Sequence, residues 1–252
     1  MTKVGIIGCG VIGDALRKWL LENNKEVQVY VNDPAKGYDH DLYSEEMDAY
    51  FVQIHLPTNE DGSQSTEELE SILGRIHRNI PIWIRTTILT TTLDRLRKTN
   101  DCVNYMPEFL TERSSEHDFK TQNMVFTGKP EHIVLLRRIF VGRNYIVLTN
   151  TEAIIAKYAH NAFGALKVTY FNAIHELCER LGVDYNCVLA GILLSGYIND
   201  THTRVPGPDG RFGYGGKCFP KDVKAFESFS KDSGLSKLLH ETETLNERYR
   251  NS

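Results

Sequence analysis

The chain has 252 residues, 41% hydrophobic and 25% charged, with a formal net charge of −4. This is an ordinary globular composition, with apolar material for one large domain or two modest ones. No basic cluster points to nucleic acid, no apolar run is long enough to span a bilayer, and the N-terminus lacks the pattern of a secretory signal.

The first half alternates strand and helix signals. Val4–Ile7 is a short β-branched run, followed by the glycine-rich turn Gly8-Cys9-Gly10-Val11-Ile12-Gly13 and the helical stretch "DALRKWLLE". "EVQVYV", "YFVQI" and "IPIWIR" read as the second, third and fourth strands, "CVNYM" and "MVFTG" as further candidates, and "YIVL" as the last. Such alternation predicts an α/β domain over 1–150 with a mainly parallel, doubly wound Rossmann sheet.

From Thr151 the pattern is helical. The stretch 151–182 keeps apolar residues at helical spacing without an internal proline; Thr151 is placed to cap it and Gly182 to end it. It is the expected spine of an all-helical second domain over 151–252. A helix starting at Asp184 follows, then a loop over 199–217, then helices over 220–232 and 234–250.

Five cysteines, Cys9, Cys102, Cys178, Cys187 and Cys218, form no C-x-x-C. Neither a disulfide framework nor a metal site is expected, and a reducing cytoplasm fits. Cys178 and Cys187 sit on apolar helical faces and Cys9 in the glycine turn, where a small packed thiol is the simplest account. Cys218 differs. It stands between "GYGG" and the helical sequence "PKDVKAFESF", just before a helix N-terminus whose dipole, together with Lys221, favours the thiolate.

The G-x-G-x-x-G at Gly8, Gly10 and Gly13 lies between a strand and a helix. Gly8 makes the tight turn, Gly10 admits a pyrophosphate to the backbone, and Gly13 permits close helix–strand packing. The N-terminus of the helix that follows then faces the phosphates, and Val11 and Ile12 of the turn belong to the cofactor side. Asp33 ends the second strand, at the offset where an acid binds a ribose 2′-hydroxyl and repels a 2′-phosphate, so NAD is the expected cofactor rather than NADP.

Four stretches in order, "MPEFLTE" (106–112), "KYAHNAF" (157–163), "VPGPDG" (205–210) and "GYGGKCFPKD" (213–222), resemble the UDP-glucose/GDP-mannose dehydrogenase family. "PTNEDGS" (57–63) and "RTTI" (85–88) are similar to two of its loops. The resemblance implies a four-electron oxidation of the C6 alcohol of a nucleotide sugar to a carboxylate, using NAD and no metal. Cys218 is then the nucleophile that forms a thiohemiacetal and a thioester. Gly215 and Gly216 leave room for substrate beside its sulfur.

Lys157 and Asn161, four apart on one helix, share a face where an ammonium and an amide can hold a developing oxyanion. The resemblance gives them that role. It makes Glu108 a general acid/base acting through water, places Glu112 beside the sugar, and pairs Thr87 with Asp222 around the catalytic water. Phe109, Leu110, Tyr214, Gly215, Arg204 and Lys221 belong to the substrate side, Arg204 across a dimer, and Pro57 and Thr87 to the cofactor side.

Three departures from the family pattern accompany these matches. The chain stops at Ser252, about where a third, nucleotide-binding domain is expected to begin; residues 34–49 are short; and Leu56 stands where the family usually has Thr. Two other readings remain: a two-electron hydroxyacid-type dehydrogenase, which needs no thiol, and a non-catalytic NAD-binding partner subunit. The apolar positions of the spine helix predict a homodimer through 151–181.

Overall fold

The computed structural model describes residues 1–43, 46–57 and 64–251. Of the segment "PTNEDGS", only Pro57 lies within them. The chain forms two compact units, Met1–Lys157 and Tyr158–Ser252.

In the first unit the strands are β1 (Thr2–Ile7), β2 (Val27–Asp33), β3 (Tyr38–Asp39), β4 (Ala49–Val52), β5 (Ile82–Ile84), β6 (Val103–Tyr105), β7 (Met124–Phe126) and β8 (Tyr145–Val147). The helices are α1 (Val11–Asn23), α2 (Glu67–Arg75), α3 (Thr90–Arg97), α4 (Ser115–Thr121) and α5 (Pro130–Ile139). The main sheet has the order β3-β2-β1-β4-β5-β6, parallel except for the two-residue β3, which runs antiparallel to β2. β7 and β8 pair parallel in a separate sheet rather than extending the first. β4 and β5 are buried at every position, as expected of parallel strands covered on both faces.

β1 has β2 on one side and β4 on the other, so the order reverses at β1. In open α/β sheets that reversal opens a crevice at the carboxyl ends of the strands. Gly8, Asp33, Gln53, Arg85 and Met106 directly follow or end β1, β2, β4, β5 and β6, and so line that edge. Aromatic packing holds the sheet beneath it. Phe51 stacks on Trp83 with ring centres 5.4 Å apart, Trp19 meets Phe119 and Phe140, and the Trp83 indole donates to Thr127 O at 3.0 Å.

The long helix is α6 (Asn150–Leu181). Its start is set by Thr149, not Thr151. The Thr149 hydroxyl accepts from Glu152 N at 3.2 Å, while the Glu152 carboxylate accepts from Thr149 N at 2.7 Å. This reciprocal pair satisfies two otherwise orphaned donors. Asn150 Oδ1 accepts from Tyr105 N at 2.7 Å, so the first turns of α6 belong with the first unit. At the other end Gly182 takes φ 67°, with Gly182 N donating to Glu179 O and Val183 N to Cys178 O, a Schellman closure.

The second unit adds α7 (Tyr185–Leu193), α8 (Phe219–Phe229) and α9 (Gly234–Arg250). Asp184 caps α7 by accepting from Asn186 N. Phe171, Cys178 and Tyr185 form its core with Ile174, Val188 and Leu189 around them.

The glycine turn generates a stability prediction. A Cβ on Gly13 would lie 2.1 Å from Gly8 O and 2.9 Å from Gln53 Nε2. Neither backbone can retreat, because Gln53 Nε2 donates to Gly8 O at 2.9 Å and Gln53 N to Ile7 O at 2.9 Å. Gly13→Ala is expected to lower stability by about 1–3 kcal/mol through overpacking, read as a lower urea midpoint at unchanged slope.

Candidate active site

In the first unit, the turn after β1 is built for a ligand at one glycine and for packing at the others. Gly8 takes φ +86° and its Cβ would strike Gln53 O at 2.5 Å, while a Cβ on Gly10 would meet nothing within 4 Å. The N-terminus of α1 starts beside that open ground, with Val11 exposed. Asp33 Oδ2 accepts from Cys9 N at 2.6 Å, which ties the acid at the end of β2 to the turn. These residues fit the pyrophosphate and ribose of a dinucleotide. Burial, then Asp14, pushes the Cys9 thiol up, so this cysteine is an inert packing residue. Thr87 is buried past β5, its carbonyl accepting from Gln64 Nε2 at 2.7 Å; Pro57 is exposed past β4.

Beyond β6 the chain buries a carboxylate against a cation. Lys157 Nζ donates to Glu108 O at 2.6 Å and to Glu108 Oε1 at 3.0 Å, with the two side chains 5% and 9% exposed. Glu108 Oε2 accepts from Leu110 N at 2.7 Å. Nζ lies 5.6 Å from the Phe109 ring centre. Glu112 stands outside this pair: residues 106–110 are not helical, and Glu112 is exposed at the head of a 3₁₀ turn, Glu112–Ser114. Arg85, unremarked in the sequence except as part of "RTTI", is buried just past β5. Burial pulls its guanidinium down to about 10, opposed by the neighbouring charge of Glu108.

In the second unit, Cys218 is the N-cap residue of α8 and exposed. Asp222 N donates to Cys218 O at 2.9 Å, closing the first turn. Gly164 lets α8 begin close to α6, since a Cβ there would meet the Phe219 ring at 2.6 Å. Asp222 is 1% exposed, and both its oxygens are used. Oδ2 accepts from Asn161 Nδ2 and Oδ1 from Lys221 Nζ, each at 2.5 Å. Asp222 thereby orients an amide and an ammonium. Asn161 Oδ1 faces His160 Nδ1 at 3.1 Å.

The glycine-rich loop is held by two asparagines that the sequence reading passed over. Asn172 Oδ1 accepts from Gly213 N at 2.9 Å, and Asn246 Oδ1 from Tyr214 N at 2.6 Å, with Asn246 Nδ2 donating back to Tyr214 O. Both lie within helices and buried, where asparagine is a poor choice without a polar duty, and that rule applied to the sequence is the signal that could have found them. Tyr214 is buried with its ring edge toward Phe219. The room assigned to Gly215 is corrected: its Cβ would meet the Arg250 guanidinium at 2.8 Å, whereas Gly216, at φ +77°, faces open space. Arg204 is exposed. Among the described residues no group of three or more His, Cys, Asp or Glu could hold a metal ion, and no helix is long and apolar enough to cross a membrane.

Two predictions follow from these buried charges. Lys157→Met leaves the Glu108 carboxylate buried without its cation and is expected to lower stability by about 3–5 kcal/mol. The double variant Lys157→Met/Glu108→Gln should recover part of that loss in a denaturation cycle. On α9, burial and then the adjoining Glu227 push the Glu243 carboxyl up to about 7. An acid raised in the folded state holds its proton where the unfolded chain has released it. Its contribution to stability is therefore present below the ordinary carboxylate range and is lost as pH rises toward 7. Glu243→Gln should flatten that decline in a melting-temperature series from pH 4 to pH 8.

Residues 151–248 match the model of the UDP-glucose/GDP-mannose dehydrogenase family, central domain. A UDP-glucose 6-dehydrogenase of Rickettsia bellii is 28% identical over 79% of this chain and 49% of its own length, and one of Pseudomonas aeruginosa 31% identical over 79% and 48%. The chain thus spans about half the length of these curated relatives. Among solved structures, a UDP-glucose dehydrogenase from Pyrobaculum islandicum superposes with a TM-score of 0.81 at 24% identity, covering 98% of this chain and 68% of that one. A 3-hydroxyisobutyrate dehydrogenase from Mycobacterium tuberculosis gives 0.69 at 15%, covering 99% and 95%. The fold is therefore shared with both kinds of dehydrogenase, and it is the 151–248 segment that belongs to the central domain of the UDP-glucose/GDP-mannose dehydrogenase family.

Proposed function

We propose that the chain acts in the NAD-dependent oxidation of a nucleotide sugar, UDP-glucose foremost, from the C6 alcohol to the carboxylate. The observation that carries this reading is Cys218, an exposed thiol at the N-cap of α8 beside open space at Gly216, with a buried, doubly hydrogen-bonded Asp222 in the same first turn. The relatives named as UDP-glucose 6-dehydrogenases support the substrate class.

NAD, when bound, supplies the hydride acceptor. The turn Gly8–Gly13, the N-terminus of α1 with Val11 and Ile12, Asp33, Pro57 and Thr87 would hold it. Lys157 and Asn161, one turn apart on α6, would present N–H donors to the sugar's C6 oxygen as negative charge develops there. Asp222 keeps the Asn161 amide turned so that its remaining N–H is free for that oxygen. Cys218 Sγ would add to the aldehyde carbon, and the thiohemiacetal, on giving up the carbon-bound hydride to the acceptor and its hydroxyl proton, would become a thioester at the acid oxidation level. Glu108 takes a proton from the water that cleaves it. Phe109, Leu110, Glu112, Tyr214, Lys221 and Arg204 complete the substrate side. A two-electron oxidation would leave Cys218 without a task, which separates the competing dehydrogenase reading from this one.

The purified chain, offered a panel of nucleotide sugars with NAD, should form two NADH per sugar with its true substrate. In Cys218→Ser the second oxidation should fall by several orders of magnitude, since a hydroxyl is far less acidic than a thiol. Carboxylate formed at the wild-type rate by that variant would remove Cys218 as the nucleophile.

A homodimer through α6 is part of the proposal. Phe163, Tyr170 and Leu177 recur every seven residues along α6 and are 66%, 54% and 40% exposed, with Leu181 beyond them at 66%. Such a stripe is what a partner helix covers. Sedimentation equilibrium at micromolar protein should give the dimer mass, and Phe163→Glu/Leu177→Glu the monomer. A wild-type monomer would overturn the interface.

A further inference from the structure

One buried cation of the first unit has no task in the chemistry outlined above. Arg85 is 2% exposed, and its Nε and Nη1 have no hydrogen-bond partner. Its guanidinium lies 5.4 Å from the Phe119 ring centre, a contact that satisfies none of its N–H groups. Unmatched donors on a charged, desolvated group are among the most destabilising features a fold can carry, and each calls for a partner.

Arg85 lines a cavity of about 20 Å³ with Glu108, Leu110, Asp118 and Arg143. That volume admits one water and no phosphate. Asp118 Oδ2 already accepts from Thr111 N and Ser114 Oγ. Arg143 lies 5.4 Å from the same Phe119 ring and donates to Gln122 O. The Glu108 carboxylate accepts one bond at each oxygen, from Lys157 Nζ and from the backbone amide of Leu110. An ionised carboxylate has about four acceptor positions, so Glu108 retains capacity toward the cavity.

We propose that Arg85 is a positioning residue for Glu108: its guanidinium, through one buried water, fixes the carboxylate from the sheet side while Lys157 fixes it from α6. The inference deepens the functional reading and rests on Glu108 serving as the base. It answers a conflict within that reading. Lys157 is asked both to hold Glu108 and to offer an N–H to the sugar oxygen. A second, immovable cation keeps Glu108 aimed when Lys157 shares its donors.

The first test needs no turnover. The ¹⁵N Nε–H signal of Arg85 is followed in the wild-type chain and in Glu108→Gln. The expected result is a shifted signal and exchange with solvent faster by about tenfold in the variant, the factor for one net hydrogen bond. An Arg85 signal indifferent to Glu108→Gln overturns the proposal. The second test compares Arg85→Met and Arg85→Lys by steady-state kinetics. Arg85→Met should lower kcat about 10- to 100-fold with KM for NAD and the nucleotide sugar unchanged, as for a displaced catalytic group, and Arg85→Lys should restore most of it. Unchanged kcat, or kcat and KM falling together with melting temperature, also overturns it. If Arg85→Met does not fold, the Nε–H comparison still decides. If the chain oxidises no nucleotide sugar yet the Arg85 signal answers to Glu108, the functional reading fails and the positioning stands.

Discussion

A polar side chain buried on a long helix must find a partner, and much of this structure is arranged to supply partners to α6. Lys157, Asn161, Thr169 and Asn172 are all 5% exposed or less. Thr169 turns back to Ala165 O and so is satisfied within the helix. The other three reach outward, and each determines what lies opposite. Lys157 takes Glu108 from the segment after β6, Asn161 takes Asp222 from the first turn of α8, and Asn172 takes the Gly213 amide of the glycine-rich loop. Leaving any one unmatched costs about 1–3 kcal/mol, more where a charge is involved, so these pairings are constraints on the fold.

In the proposed reaction the same bonds would preorganise the donors. A carboxylate with both oxygens engaged cannot rotate, and Asp222 between Asn161 and Lys221 therefore holds two donors in fixed directions beside Cys218. Preorganised donors act without reorganising when charge develops, which is the largest electrostatic lever available to such a site. Glu108 is held comparably by Lys157 and the Leu110 amide. The glycines divide between space and conformation. Gly13 and Gly164 exist so that backbone and ring can approach, whereas Gly10 and Gly216 border open ground where a ligand's atoms would lie.

Most of the fold was legible because its signals are local. β-branched runs, the G-x-G-x-x-G turn, Asp184 as a cap and Gly182 as a stop each act within a few residues, and period alone separates strand from helix. The errors were also local in origin. Thr151 looked like the cap because it begins the apolar pattern, but Thr149 has the Glu three residues later that a reciprocal cap needs. Gly215 looked like room for a ligand because glycine has no side chain, but the Arg250 guanidinium fills that space. The pairing of β7 with β8 in their own sheet was invisible, since strand sequences do not encode their neighbours.

The amino-acid sequence by itself determined the two kinds of domain, the glycine turn with an acid at Asp33, and the thiol placed just before a helix, because each is a matter of residue type at short separation. Only the tertiary structure decided which side chains meet. Asn246 finds the Tyr214 amide across 32 residues, Lys157 finds Glu108 across 49 and Asn161 finds Asp222 across 61. It also decided that Arg250 occupies the space beside Gly215, and that Arg85 is buried with donors unmatched. The physical reason is desolvation. A charge or amide in the sequence carries no mark of whether water will reach it, and its partner becomes obligatory only once folding has taken the water away.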